Sequence, residues 1–265
     1  MYQLKNIEKN GLRIASYNIL QGGGDRINNV LNVVKKINPD ICGILEAVGW
    51  QDKENFRKKF KELGYSFFKL ALANSKYNIA VISKTPLHIK SIKRGFRHVV
   101  LQVTINNNNF NNLNIYFVHL SPLSEDARVL ELNRLIKHTK KINNVIIMGD
   151  MNSLSQDDNY NEKILLKKLN ARKITKYGTD FLRFDVIKKI KSSGFLDAMI
   201  YLNNPPTSST PTSSNKDPHH ASNIRIDYIF LKKNMAKYLK KAEIFKEKIT
   251  EKASDHYPIY IELSK

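Results

Sequence analysis

An α/β fold is what this chain predicts, from three features. Short, β-branched apolar runs such as Val145, Ile146, Ile147 and Met148 read as strands buried on both faces. Between such runs lie stretches with apolar residues at helical spacing, as in Ile27, Val30, Leu31, Val34 and Ile37. Several of the strand-like runs stop on one polar residue: Asn18, Glu46, His119 and Asp150. Inner strands of α/β folds open at their ends into the loops that carry chemistry, so the last feature already speaks about function.

Residues 12–17 alternate enough for a strand and deliver Asn18 to a loop containing Gly22, Gly23 and Gly24. Asp25 is a candidate N-cap for the helix that carries Ile27 to Ile37, and Pro39 ends it. A second buried strand, Ile41–Leu45, runs onto Glu46. Residues 51–63 predict a Lys-rich amphipathic helix, residues 65–72 and 78–83 two strands of one sheet, and residues 92–105 extended chain bent at Gly95. The Asn-rich run 106–112 lies between two apolar runs and reads as a hairpin loop, not a linker. The strand after it ends Val118-His119-Leu120-Ser121-Pro122, and a helix over residues 124–141 leads into the Asp150 strand. Residues 163–169 and 182–191 read as short basic helices, the second ended by Gly194. Residues 203–223, rich in Pro, Ser, Thr and His, form a long loop, which in a compact domain is usually functional. Strands at 224–231 and Ile259–Leu263 complete the chain.

With 265 residues and neither an internal repeat nor a clean linker, one domain over residues 1–265 is expected. Lys plus Arg number 44 against 24 Asp plus Glu, a net charge of +20. A field of that sign attracts polyanions such as nucleic acid. The excess is also spread evenly among abundant Asn and Ile, as a compositional bias would give, and the two explanations stand level. Cys42 is the lone cysteine, inside an apolar run, which excludes an intrachain disulfide and predicts a buried, inert thiol. The first ten residues hold no apolar leader and no window approaches a membrane span, so a soluble cytoplasmic protein is expected.

Asp150 and Asn152 stand one residue apart, just past Gly149. A carboxylate and a carboxamide at that spacing can face one small volume, the first as an anionic oxygen ligand and the second as a neutral donor or acceptor. That is the outline of a phosphate-and-metal site, although an Asp/Asn turn has the same composition. Asp227 sits inside the apolar run 224–231, where a carboxylate without a partner is expensive. The partner expected for it is His256, in Ser254-Asp255-His256-Tyr257-Pro258. An Asp that accepts from one ring nitrogen fixes the tautomer and raises the basicity of the other, making a general base near neutral pH. Glu125, Asp126, Asp157 and Asp158 read as helix-start and loop charges, Arg225 as no more than a strand-face charge, and His219 and His220 as loop residues rather than a metal pair.

Taken in order, Ser-Tyr-Asn18, Ile-Leu-Glu46, Gly-Asp150-Met-Asn152, Arg225-Ile-Asp227-Tyr228 and Ser-Asp255-His256 resemble the motifs of the endonuclease/exonuclease/phosphatase superfamily, also described as DNase I-like. Ala80-Val-Ile-Ser-Lys-Thr-Pro-Leu87 also resembles a segment typical of it, and the likeness runs from Leu12 to the C-terminus. Two positions depart from the pattern: Tyr17 where the family often has Trp, and Leu45 where it often has Gln, which removes an amide beside the metal Glu. The resemblance implies a four-layer α/β sandwich, two mixed β-sheets packed face to face with helices outside, and motif loops converging at one rim. It implies Glu46 as the principal Mg²⁺ ligand, helped by Asp150 and Asn18, and by Asp255 through water. Hard oxygen ligands suit Mg²⁺ or Mn²⁺ better than zinc. His256, oriented by Asp227, would activate or hold the attacking water, while Asn18 and Asn152 position the scissile phosphate and the nucleophile. His119 and the metal would stabilise the phosphoryl oxygens in an in-line displacement. Asp150 is divided between metal binding and positioning the nucleophile.

AP-endonuclease-like members usually carry Tyr-x-Pro-Asn where this chain has Val118-His119-Leu120-Ser121-Pro122, so the chain looks more like the DNase, deadenylase, sphingomyelinase and phosphatase branches. The function expected is a Mg²⁺-dependent phosphodiester hydrolase, a nuclease acting on DNA or RNA. The alternative is a phosphodiesterase or phosphatase of a lipid head group or small phosphorylated molecule, which would need an exposed apolar hairpin for membrane contact; the sequence offers none. A third class, a non-catalytic nucleic-acid-binding protein, is opposed by the intact set Glu46, Asp150, Asp227 and His256.

Overall fold

The structure, a computed structural model, describes residues 11–51, 54–106, 110–204, 207–212 and 222–265. Its strands are β1 (Leu12–Asn18), β2 (Ile41–Leu45), β3 (Phe67–Ala71), β4 (Ile79–Ser83), β5 (His88–Ile92), β6 (Val100–Ile105), β7 (Leu113–His119), β8 (Val145–Asp150), β9 (Phe195–Asp197), β10 (Asp227–Lys232), β11 (Leu239–Ile244) and β12 (Ile259–Leu263). Its helices are α1 (Ile27–Ile37), α2 (Glu54–Glu62), α3 (Glu125–Thr139), α4 (Glu162–Ala171), α5 (Asp185–Ser192) and α6 (Ala198–Tyr201). The strands form two six-stranded sheets, ordered β11-β12-β1-β2-β4-β3 and β5-β6-β7-β8-β10-β9. Each sheet is mixed: β1 runs parallel to β2 and β7 parallel to β8, while their other neighbours are antiparallel.

Strand periodicity sorts the core into layers. Ile14, Ile41, Leu45 and Val81 of the first sheet face Leu101, Ile115, Phe117, Ile146, Met148 and Ile229 of the second. The alternate residues point outward. Ala15, Tyr17, Cys42 and Ile44 lie under α1 and α2, with Val30, Val33, Val34, Phe56 and Phe60. On the other side Tyr116, Val118, Val145, Ile147 and Tyr228 lie under α3 and α5, with Leu132, Leu135, Val186, Ile187 and Ile190. The result is the four-layer sandwich that the resemblance implied. Gly43 marks a close approach of the two sheets, because a Cβ there would stand 2.1 Å from the Phe117 ring. Gly43→Ala is therefore expected to destabilise the chain by about 1–3 kcal/mol through overpacking, read as a lower Tm; an unchanged Tm would mean that the sheets separate there at no cost.

Most predicted elements are present, and the departures have local causes. Asp25 lies in a 3-10 turn, Gly24–Arg26, ahead of α1 instead of capping it. The strand expected over 224–231 begins at Asp227, so this carboxylate also sits at a strand end. β5 and β11 were not expected: they are edge strands, His-Ile-Lys-Ser-Ile and Leu-Lys-Lys-Ala-Glu-Ile, whose charged faces blur the apolar alternation while protecting the edge from further pairing. Within the loop 203–223, Thr210 bridges Ile224, while His219 and His220 lie outside the described residues. Among the described residues no helix is long and apolar enough to cross a membrane.

Candidate active site

Strand parity decides where the polar strand ends point. In β8, Ile146 and Met148 face the space between the sheets, so Asp150 does too. Phe117 sets the same direction for His119 at the end of β7, and Ile229 for Asp227 at the start of β10. Pairing aligns the three: Asp150 is opposite His119 on one side and Asp227 on the other. From the first sheet, Ile14 sets the inward parity of Asn18, which is opposite Leu45 on the neighbouring strand. The apolar interior therefore ends, at one rim, in a patch of polar side chains contributed by both sheets.

Asn18 joins the halves. Its Nδ2 donates to Glu46 Oε1 and to Asp150 Oδ2, each at 3.3 Å. Glu46 follows β2 in a left-handed conformation (φ 60°), and its Oε2 accepts from the Gln21 amide at 2.8 Å. The turn needs Gly22, whose amide donates to the Glu46 carbonyl at 2.7 Å and where a Cβ would lie 2.2 Å from the Val48 carbonyl oxygen. Asp150 Oδ1 accepts from the Asn152 amide at 2.7 Å, and Oδ2 lies 3.4 Å from His119 Nε2. Asp227 Oδ2 and His256 Nδ1 are 2.7 Å apart, both buried, the pairing that the sequence predicts. Asp255 is buried beside them; its side chain accepts from Ser254 Oγ, and its carbonyl from Thr210 Oγ1 and the Thr212 amide. All eight predicted residues, Asn18, Glu46, His119, Asp150, Asn152, Asp227, Asp255 and His256, thus lie at this rim.

Electrostatics divide them. Burial, then the neighbouring Asp227 carboxylate, push Asp150 up to about 6. Burial opposes charge on His256, but the Asp227, Asp255 and Asp150 carboxylates outweigh it and hold the ring up at about 10. The field of three carboxylates thus favours the imidazolium form of His256, where the sequence pointed to one aspartate as its partner. His119 is pushed the other way by burial and is neutral.

The donor set fits a hard divalent cation. Glu46 and Asp150 bring oxygens to the two sides of one amide, and Asp150 and Asp227 are buried carboxylates with ligand atoms within 4.8 Å of each other. Buried like charges of this kind are stabilised by a cation. The thiol of Cys42 is buried within β2 and pushed up to about 12 by that burial, so it offers no thiolate for a softer metal.

Several groups in or behind the site were not legible in the sequence. His98 stacks on His119 with centroids 4.5 Å apart, its Nδ1 meets Ser75 Oγ at 2.6 Å, and Tyr77 packs edge-on against both rings. Lys176 Nζ donates to Asn152 Oδ1 at 3.0 Å. Glu125 and Arg128, read as no more than helix-start chemistry in the case of Glu125, form a fully buried pair. Glu125 Oε1 accepts from Ser153 Oγ at 2.7 Å, and Arg128 donates to the carbonyls of Ser121 and Lys176, so one ion pair ties together the loops of His119, Asn152 and Lys176. Arg225 is likewise no strand-face charge: it is buried within 2.7 Å of Asp158 and 2.8 Å of Asp197, under a cation–π contact with Tyr228. Asp158 is a buried ion-pair partner as well, whereas Asp126 and Asp157 pair at the surface with Arg183 and Lys191 as loop charges do.

The sequence matches the Endonuclease/Exonuclease/phosphatase family over residues 15–256. Comparison with curated proteins finds no match. Among solved structures the chain is similar to the 3' phosphatase NExo from Neisseria bound to a product DNA hairpin, with 15% identity, a TM-score of 0.72 and coverage of 96% of this chain and 100% of that one. It is similar to an AP endonuclease from Archaeoglobus fulgidus, with 17% identity, a TM-score of 0.73 and coverage of 96% and 100%. It is similar also to the 3'-5' exonuclease NExo from Neisseria meningitidis, with 14% identity, a TM-score of 0.71 and the same coverage. At these identities the likeness is one of fold. The match along the sequence is what assigns function class: the chain belongs to the Endonuclease/Exonuclease/phosphatase family and is a phosphoester-cleaving hydrolase.

Proposed function

We propose that this chain is a Mg²⁺- or Mn²⁺-dependent nuclease that cleaves nucleic-acid phosphodiesters by direct attack of water. The observation that carries the reading is the joining, through Asn18, of the Glu46–Asp150 carboxylates to a rim that also holds neutral His119 and the Asp227–His256 pair. A divalent cation, when bound, supplies charge to stabilise phosphoryl oxygens and lowers the pKa of water. Glu46, Asp150 and Asn18 would hold it, with Asp255 through water. Asp227 orients His256 through Nδ1, which leaves Nε2 as the atom to hold or take the proton of the attacking water; compensation of the carboxylate field by a cation would draw His256 down from about 10 towards neutral pH. Asn152 and Asn18 position the phosphate and nucleophile, and His119 faces the phosphoryl oxygens. A nucleic-acid substrate is favoured by the net charge of +20 and by the fold shared with a 3' phosphatase bound to a product DNA hairpin and with an AP endonuclease.

The experiment is product formation from labelled duplex DNA, single-stranded DNA and RNA, beside a phosphomonoester and a choline-phosphodiester lipid, with Mg²⁺, with EDTA, and with His256→Ala. Metal-dependent cleavage of a nucleic acid that the variant lacks is expected; turnover of only the lipid or the monoester would replace the nuclease reading. Metal binding has its own readout. Because the carboxylates repel one another, saturating Mg²⁺ or Mn²⁺ is expected to raise Tm at neutral pH, by about 2.7 kcal/mol of stability at a hundredfold excess over Kd. EDTA should reverse the gain and Glu46→Gln should reduce it; a Tm that ignores the metal would remove the cation from this site.

A further inference from the structure

Resting on the reading above, we propose that Lys176 is a further substrate-binding residue of this site, its ammonium taking a non-bridging oxygen of the scissile phosphate beside Asn152. Most lysines here are solvated, but Lys176 is built into the site. It is half-buried, and its carbonyl accepts from Arg128, itself buried and gripped by Glu125. The next residue, Tyr177, is buried in the cluster that also holds Ile226, adjacent to Asp227. With its backbone so anchored, the side chain reaches Asn152 Oδ1 at 3.0 Å and passes over the Tyr177 ring.

The chemistry requires such a group. Glu46, Asp150, Asp227 and Asp255 crowd the rim with carboxylates, yet the substrate is an anion. Positive charge held in place before the substrate arrives is worth more than charge recruited from solvent, because no reorganisation is needed. Lys176 also settles the Asn152 amide. Its donation holds Oδ1, and Nδ2 donates to the Leu120 carbonyl at 3.1 Å, so the amide keeps one orientation towards the phosphate. No bond to Lys176 forms or breaks: it donates hydrogen bonds and charge.

Two variants separate charge from mere orientation. Lys176→Gln keeps a donor for Asn152 but loses the charge, while Lys176→Arg keeps both. The readouts are kcat and KM with Mg²⁺ on a labelled oligonucleotide and on bis(4-nitrophenyl) phosphate, and competitive inhibition by inorganic phosphate. For Lys176→Gln we expect kcat/KM to fall about 100-fold on both substrates and the Ki for phosphate to rise about tenfold, with Tm unchanged and Lys176→Arg recovering most of the loss. Near wild-type kcat/KM in Lys176→Gln, or equal losses in both variants, would overturn the proposal. Wild-type protein without turnover on any phosphoester would be a failure of the nuclease reading instead. Calorimetric titration of wild type and Lys176→Gln with inorganic phosphate in Mg²⁺ would then still decide the role of Lys176, equal affinities overturning it.

Discussion

Asp227→Asn is expected to lower kcat by about three to four orders of magnitude while leaving the fold intact, an effect of the size seen when the carboxylate orienting a catalytic histidine becomes an amide. The Asp227 carboxylate accepts from His256 Nδ1 at 2.7 Å, which in the proposed reaction would leave Nε2 as the working position. An asparagine at 227 can present its NH₂ group to Nδ1, which forces the proton onto Nε2, the wrong tautomer for holding or accepting a proton from water. Assays from pH 5 to 10 with Mg²⁺ or Mn²⁺ check this, and retention of kcat within tenfold would show that the pair is structural. Stability gives a second, metal-free readout. His256 is raised from its ordinary 6.5 to about 10, so its contribution is fully present below pH 6.5 and is lost as pH rises through about 10. In Asp227→Asn much of that contribution is missing, so the Tm gap to wild type should be widest in mild acid and close towards pH 10.

Arg225→Met should be the most destabilising single change named here, at about 3–5 kcal/mol. Arg225 is 1% exposed, and its Nη2 approaches Asp158 Oδ1 and Asp197 Oδ2 at 2.7 and 2.8 Å. The contacts are close but not aligned as linear hydrogen bonds, so the attraction is chiefly between charges. Removing the guanidinium leaves two carboxylates facing each other in the interior. Burial already pushes the Asp158 carboxyl up, against the pull of Arg225, and without that pull its ionised form is dearer still. Thermal unfolding should register the loss as a Tm lower by about 10 °C. Adding Asp158→Asn and Asp197→Asn to the same chain should recover part of it. A single variant as stable as wild type would mean that the carboxylates simply take up protons at little cost.

The sequence by itself determined the elements whose signal is local, and the polar residues that end them. Apolar runs ending in one polar residue mark the strands of Asn18, Glu46, His119 and Asp150, and helical spacing marks α1 and α3, because periods of two and of 3.6 residues are written in neighbouring positions. The order of the motifs carried the family, and with it the sandwich. What the tertiary structure alone decided depends on residues far apart in the chain. Lys176 reaches Asn152 from 24 positions away, Arg225 meets Asp158 from a distant part of the chain, and His98 finds His119 by stacking; none of these partners has a spacing that a local pattern could reveal. Glu125 lies in the first turn of α3, where an acid is ordinary, and only packing makes it the buried anchor of three loops. The charge on His256 is of the same kind: the sequence supplied one aspartate as its partner, but the field of Asp227, Asp255 and Asp150 together depends on distances that exist only once the two sheets have closed on each other.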